Sequence, residues 1–184
     1  PLIELFGAPE RIFATGALLN DETRGLTNGP IDGSGVVLAS YPGMTAVLAH
    51  SKTTNDLSDS QIEGELGTLT VHGISAPSSM HIDMRSDAAR QTDSVGYSSA
   101  QTVGRDIDLP AFENTMQHEL SDFIEAVEHV RTGGVCTEAP CGPFGTVAHF
   151  RDITLSSLAL MDEARRQMGV SFPADRSASA VPEE

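Results

Sequence analysis

Residues 61–71, QIEGELGTLTV, decide the fold class of this chain. Two short runs with alternating apolar and polar residues meet at a turn that is bordered by Gly64 and Gly67, which is the pattern of a β-hairpin. A second turn, Pro42-Gly43, joins two more candidate strands, because proline presets the first dihedral angle and glycine accepts the positive φ of a type II turn. The complete set of predicted strands comprises residues 11–18, 36–40, 44–50, 60–63, 68–71, 80–84 and a weaker strand at 97–103.

Two helices are predicted after the strands. Residues 115–131 place their apolar side chains on one face at helical spacing, and Gly133-Gly134 ends the run. Residues 146–168 are apolar around more than half of the helix circumference, and Gly169 ends them. Strands followed by helices predict an α+β fold, here a large, mostly antiparallel open sheet with the helices packed on one face. Residues 18–35, which contain the turn signals Asn28-Gly29-Pro30 and Asp32-Gly33, are predicted as a surface loop.

Composition limits the possible partners. The chain has 184 residues and 39% hydrophobic residues, which suffices for a single domain over residues 1–176 with a flexible tail at 177–184. Its 11 Lys and Arg residues against 26 Asp and Glu residues give a net charge of −15, which disfavours nucleic acid and anionic membrane surfaces. Cys136 and Cys141 are the only cysteines, too few for a disulfide framework, and they suit a reducing cytoplasm.

Three segments carry a resemblance to a known family: the hairpin at residues 61–71, the terminal helix with its stop at Gly169, and the stretch LFGAP at residues 5–9. Together they resemble the C-terminal domain of the Gfo/Idh/MocA oxidoreductases, which include glucose-fructose oxidoreductase, inositol dehydrogenase and dihydrodiol dehydrogenase-like enzymes. The glycine-rich turn of a Rossmann domain is not found, because Gly33-Ser34-Gly35 precedes a β-branched run instead of opening a helix. We therefore expect the N-terminal Rossmann half of the family to lie outside this sequence.

The resemblance implies a function for the chain. It implies the substrate-binding and dimerisation half of an oxidoreductase that acts on a sugar, a cyclitol or a dihydrodiol-like alcohol. The cofactor, NAD or NADP, and the catalytic lysine would belong to the Rossmann half, so this chain alone is expected to be inactive, with no catalytic and no cofactor-binding residue of its own. A cytoplasmic location is expected.

Two patches of polar residues are the candidates for substrate binding. Ser51, Lys52 and Thr53 follow a predicted strand at the position from which relatives direct polar side chains at substrate. Lys52 can hold an oxygen by a charge-assisted hydrogen bond, and the two hydroxyls can bond to a sugar-like hydroxyl. His149 and Arg151, near the start of the terminal helix, form the second patch. A solvated polar surface is the alternative at both places.

Other sites and functions are weighed against this interpretation. The helix face with His118, Asp122, Glu125 and His129 lies opposite the apolar stripe, so solvation explains it and no metal site is predicted. The function could also be that of a non-catalytic ligand-binding or regulatory relative, or of a stand-alone module that dimerises. We expect a homodimer or higher homo-oligomer through the sheet face away from the helices, and the assumed register puts Leu48 on that face.

Overall fold

The computed structural model describes residues 1–19, 31–55, 58–85, 102–110, 114 and 116–172. The chain divides into two compact units, the first formed by Pro1–Asp56 with Leu120–Glu184 and the second by Leu57–Glu119. The elements in chain order are α1 (Leu2–Phe6), β1 (Arg11–Leu19), β2 (Ile31–Tyr41), β3 (Met44–Ser51), β4 (Ser60–Gly64), β5 (Gly67–His72), β6 (Ser79–Arg85), β7 (Thr102–Asp108), α2 (Met116–Arg131), a 3-10 helix (Cys136–Glu138) and α3 (Val147–Gln167).

The predicted α+β class with antiparallel pairing is confirmed. The strands form two open sheets, one of three strands in the order β1-β2-β3 and one of four strands in the order β4-β5-β6-β7, where the sequence had suggested one large sheet. Each neighbouring pair is consecutive in the chain, and two-residue turns join β2 to β3 and β4 to β5.

Both predicted turns are confirmed. Tyr41 pairs with Met44 across the two-residue turn Pro42-Gly43, and Gly43 has a φ of 76°. Gly64 pairs with Gly67 in the second sheet. The predicted loop at residues 18–35 is wrong in part, because Ile31 to Gly35 are the first residues of β2; residues 20–30 of that loop lie outside the described residues. For the predicted strand at 97–103, β7 begins at Thr102, and residues 97–101 lie outside the described part as well.

The small core of the first unit lies between α3 and the three-stranded sheet. Ala14, Val37 and Ala164 are buried there, with Ile12 and Met168 packed against them. A Cβ placed on Gly16 would collide with the backbone carbonyl of Ser34 in β2, which cannot move aside as the Met168 side chain can, so only glycine fits here.

The two faces of the three-stranded sheet differ in what covers them. Val37 lies opposite both Ala14 and Leu48, which places Leu48 on the face toward α3. The predicted position of Leu48 on the free face is therefore wrong, because that register was off by one residue. Phe13, Leu38 and Val47 lie opposite one another on the other face, with exposed fractions of 62%, 41% and 66%.

The terminal helix ends as its sequence indicates. Met168 is the last helical position and Gly169 follows with a φ of 81°, which suits a residue without a side chain. Helix α2 confirms its predicted span to within one residue. Its apolar face is exposed, however. Helical spacing therefore identified the apolar face but not the surface against which it would pack. The exposed apolar residues are Met116, Leu120, Phe123, Ile124, Val127 and Val130.

The second unit is a meander of four antiparallel strands with one apolar and one polar face. Ile62, Leu69 and Ile82 line up across β4, β5 and β6 on the apolar face. On the polar face His81 of β6 pairs with Asp106 of β7. None of the helices that the structure describes has the length and apolar character needed to cross a lipid bilayer.

Candidate functional site

A buried carboxylate, Asp32, organises the polar end of the first unit. Its side chain is 10% exposed and lies at the start of β2, where Lys52 Nζ donates a hydrogen bond of 2.9 Å to Asp32 Oδ1. The backbone amide of Lys52 also donates to the carbonyl of Gly33, at 2.8 Å, which continues the β2–β3 ladder by one residue. Lys52 is therefore held at its backbone and at its ammonium group.

A β-bulge directs Asp32 to this position. The pairing of β1 with β2 shifts between Ala17, which faces Ser34, and Leu18, which faces Asp32, so Gly33 is an extra residue in β2. An extra residue reverses the face to which the preceding side chain points. Asp32 therefore lies on the face that α3 covers.

Two further basic side chains lie near the same carboxylate. His50 Nε2 lies 3.3 Å from Asp32 Oδ2, within the range of an ion pair but without the alignment of a hydrogen bond. Arg165 Nε, from the last turn of α3, lies 3.7 Å from Asp32 Oδ1. The guanidinium of Arg165 also stacks over the ring of Phe172, 5.7 Å from its centroid. The site thus joins residues of β2, the end of β3 and α3.

The electrostatics of the site keep the Asp32 carboxylate ionised. Burial by itself raises the pKa of Asp32, but the hydrogen bond and the charge of Lys52, a backbone hydrogen bond and the charge of Arg165 outweigh it. The net pKa lies below the ordinary value of 3.8. Near neutral pH the carboxylate is therefore a charged acceptor for the ammonium of Lys52.

Lys52 is the only lysine of the sequence; the other ten basic residues among the 11 Lys and Arg are arginines. Its side chain is 45% exposed, so the ammonium is reachable from solvent although its partner is buried. An ammonium has three N–H donors and no acceptor, so a donor role toward a ligand oxygen is open to Lys52 and a role as proton acceptor is not.

The hydroxyls of Ser51 and Thr53 belong to a local turn. Ser51 Oγ accepts hydrogen bonds of 3.2 Å from the backbone amides of Thr53 and Thr54. It also lies 3.3 Å from the Thr53 hydroxyl. Ser51 and Thr53 are chain neighbours of Lys52, but consecutive side chains at the end of β3 point to opposite faces of the sheet, so the Ser51 hydroxyl and the Lys52 ammonium lie on different faces.

The second predicted patch lies elsewhere on the first unit. His149 Nε2 is 3.2 Å from Glu4 Oε1 of α1, and the exposed Arg151 donates to the neighbouring Asp152 at 2.9 and 3.1 Å. His149 is sixteen residues before Arg165 in α3, which corresponds to about 24 Å along the helix axis. The two predicted patches therefore lie at opposite ends of α3.

Sequence reasoning missed Asp32 and Arg165. The dipeptide Asp32-Gly33 is a common turn signal and was interpreted as one, although a glycine within a strand also marks a bulge. His50 was part of the polar segment that the sequence singled out, but its contact with Asp32 could not be inferred. Arg165 carries no local signal, because its approach to Asp32 depends on how α3 packs on the sheet.

Comparison with known proteins places this chain among sequences similar to oxidoreductases, which confirms the predicted resemblance at that level. The chain is 28% identical over 177 residues to scyllo-inositol 2-dehydrogenase (NADP(+)) IolU of Bacillus subtilis, covering 96% of this chain and 43% of that protein. It is 28% identical over 175 residues to the uncharacterized oxidoreductase YgjR of Escherichia coli, covering 94% of this chain and 42% of that protein. The chain thus spans less than half the length of these curated relatives.

Solved structures agree on the fold. A protein from Yersinia pestis, provisionally described as an oxidoreductase, superposes with a TM-score of 0.52 at 12% identity, covering 99% of this chain and 47% of the other. A second such protein, from Klebsiella pneumoniae, gives a TM-score of 0.51 at 14% identity, covering 96% and 48%. At these identities the likeness concerns the fold alone. No family model matches the chain.

Proposed function

We propose that this chain supplies the substrate-binding part of an NAD(P)-dependent oxidoreductase that acts on a cyclitol, a sugar or a dihydrodiol-like alcohol. The observation that carries the proposal is the 28% identity, over 96% of the chain, to a protein named scyllo-inositol 2-dehydrogenase (NADP(+)). In this proposal the nicotinamide cofactor, NAD or NADP, and the catalytic lysine belong to a Rossmann domain outside this sequence, so the chain alone is inactive.

The residues around Lys52 provide the chemistry that a polyol needs. The hydroxyl oxygens of a polyol accept hydrogen bonds, and a charged donor binds them more strongly than a neutral one. Lys52 supplies such a donor, and Ser51 and Thr53, its two neighbours in the chain, carry hydroxyls. The role of this chain is to hold and orient the alcohol; the cofactor, when bound by its own domain, takes up the hydride.

His149 and Arg151 contribute less to this proposal. His149 is in contact with Glu4, and Arg151 is paired with Asp152. Because they lie at the other end of α3, one small polyol cannot contact both patches. We therefore assign the substrate to the Lys52 patch and keep the His149 patch as the competing assignment for the experiment.

The experiment is a dehydrogenase assay on the polypeptide as its gene encodes it. We expect oxidation of scyllo-inositol with NADP⁺, and about a tenfold or larger rise in KM in Lys52→Met because a charge-assisted hydrogen bond is lost. Arg151→Met is the matched comparison and should leave KM unchanged. A KM that rises in Arg151→Met and not in Lys52→Met would move the substrate to the other patch, and no oxidation of any polyol would refute the proposed function.

Self-association is the second part of the proposal. Phe13, Leu38 and Val47 form an exposed apolar row on the sheet face away from α3, and a second copy of the chain would bury it against the same row. Val47→Asp should convert the dimer to a monomer in light scattering after size exclusion. Val103→Asp is the matched control, because Val103 is also a 66% exposed valine but lies in the four-stranded sheet. A monomeric wild-type chain at every concentration would contradict the dimer.

A further inference from the structure

We propose that Asp32 is a positioning residue, whose buried carboxylate holds the Lys52 ammonium where it can donate to the substrate. The inference rests on the proposed function insofar as Lys52 binds the substrate. It adds a residue that does not touch the substrate and acts through Lys52 instead.

The arrangement of burial supports this role. The Asp32 side chain is 10% exposed, whereas the Lys52 side chain above it is 45% exposed. A substrate approaching from solvent therefore meets the ammonium and not the carboxylate. A free lysine side chain samples many rotamers, so an anchor at its tip reduces the conformational freedom that binding would otherwise remove.

The distances single out Lys52 among the three basic neighbours of Asp32. Its bond of 2.9 Å has the length of a charge-assisted hydrogen bond, while His50 and Arg165 lie at 3.3 and 3.7 Å. Arg165 adds positive charge near the carboxylate, and Lys52 takes the directed bond. Removing Asp32 should therefore release Lys52.

The ammonium of Lys52 has more N–H donors than its bond to Asp32 uses. One N–H of the ammonium is used on Asp32, and two remain. Two donors on one nitrogen match two neighbouring hydroxyl oxygens of a polyol, which is the substrate class of the proposed function. Asp32 thus fixes the direction in which the two free donors point.

The role of Asp32 can be measured at the ammonium of Lys52 itself. In ¹⁵N NMR of the encoded polypeptide, the side-chain ammonium resonance that Lys52→Met removes is that of Lys52. We expect this resonance to be visible in the wild type, because the hydrogen bond slows proton exchange, and to be lost in Asp32→Asn. The matched control is Asp59→Asn, which removes the 2.8 Å Asp59–His72 pair of the second unit and should leave the resonance unchanged. An equally visible ammonium resonance in Asp32→Asn would overturn the inference.

Kinetics separates a positioning role from a purely structural one. In the encoded polypeptide Asp32→Asn should raise the KM for scyllo-inositol about tenfold with kcat little changed, and Lys52→Met combined with Asp32→Asn should add nothing further. The proposed function fails if the wild type does not oxidise scyllo-inositol and if adding scyllo-inositol does not shift the ammonium resonance. Even then, a resonance that depends on Asp32 would support the anchoring of Lys52.

A measurement on the wild type covers the case in which Asp32→Asn does not fold. Nuclear Overhauser contacts between the ε-methylene of Lys52 and the β protons of Asp32 are expected, because the bond brings these groups together. Absence of these contacts in the folded wild-type chain would overturn the inference without any variant.

Discussion

The two units of the molecule use charged side chains in opposite ways. In the first unit a single carboxylate, Asp32, is buried among three basic side chains that come from β3, the residue after it and α3. In the second unit a single imidazole, His81, lies in solvent between Asp83 of its own strand and Asp106 of the adjacent strand. The first cluster joins distant parts of the chain, and the second joins neighbouring strands.

Burial decides what each cluster contributes. A charge pair that is shielded from water interacts more strongly and is screened less by salt, whereas an exposed pair contributes little. The pKa shifts have opposite signs as well. The pKa of Asp32 lies below its ordinary value, and the hydrogen bonds that the His81 ring donates to Asp106 and Asp83 raise the pKa of His81 above 6.5. The first unit should therefore lose its cluster in acid, and the second unit should lose its cluster as the pH rises.

The largest effect is expected from Asp32→Asn. It leaves the Lys52 ammonium and the Arg165 guanidinium beside a neutral amide, and we expect a loss of about 2 kcal/mol in the stability of the first unit at pH 7. Because the folded pKa of Asp32 is depressed, the difference from the wild type should persist above pH 3.8 and vanish as the pH falls below it through the folded pKa. Hydrogen exchange of the β2 amides measures this difference in stability between the variant and the wild type. Equal protection of Val37 in both chains at pH 7 would contradict the expectation.

An intermediate effect is expected from Gln167→Met, which keeps the length of the side chain and removes its amide. Gln167 Oε1 accepts from the Ala14 amide at 2.7 Å, and its Nε2 donates to the Ile12 carbonyl at 3.2 Å. The loss should be about 1 kcal/mol. Hydrogen exchange of the Ala14 amide should accelerate by roughly the factor that corresponds to this free energy, while exchange of the Val71 amide in the second unit should not change. Unchanged exchange at Ala14 would show that the hydrogen bond does not contribute to stability.

The smallest effect is expected from His81→Gln in the second unit. Since the folded pKa of His81 is raised, its contribution is fully present below pH 6.5 and is lost as the pH rises through the folded value. The variant should differ from the wild type at pH 5.5 and become indistinguishable from it at high pH, as followed by urea unfolding. A difference in unfolding free energy that grows as the pH rises would contradict the stabilising role of protonated His81.

Local signals in the sequence predicted most of the elements. The turn at Pro42-Gly43 and the helix stop at Gly169 depend on the residues themselves, and the structure confirms both. The bulge at Gly33 was not predicted, because Asp-Gly dipeptides occur in turns and in bulges alike. Leu48 was assigned to the wrong face, since one residue of register reverses every side chain of a strand.

The candidate site could be predicted only in part. Lys52 was identified because it follows a strand in a polar segment, and that information is local. Asp32 reaches Lys52 because of a bulge, and Arg165 reaches Asp32 because of the packing of α3; a pattern of apolar residues reveals neither. The same limit applies to helix α2: the spacing of its apolar residues identified an apolar face but not the surface against which that face packs.

The amide of Gln167 has a consequence for aggregation. β1 is an edge strand of its sheet, and the free amides and carbonyls of an edge strand can recruit a strand from another molecule. Gln167 occupies the outward amide of Ala14 and the outward carbonyl of Ile12, as the backbone of a fourth strand would. One side chain of a helix thus caps two backbone groups in the first half of this edge, where another strand could otherwise pair, and it does so without adding a strand.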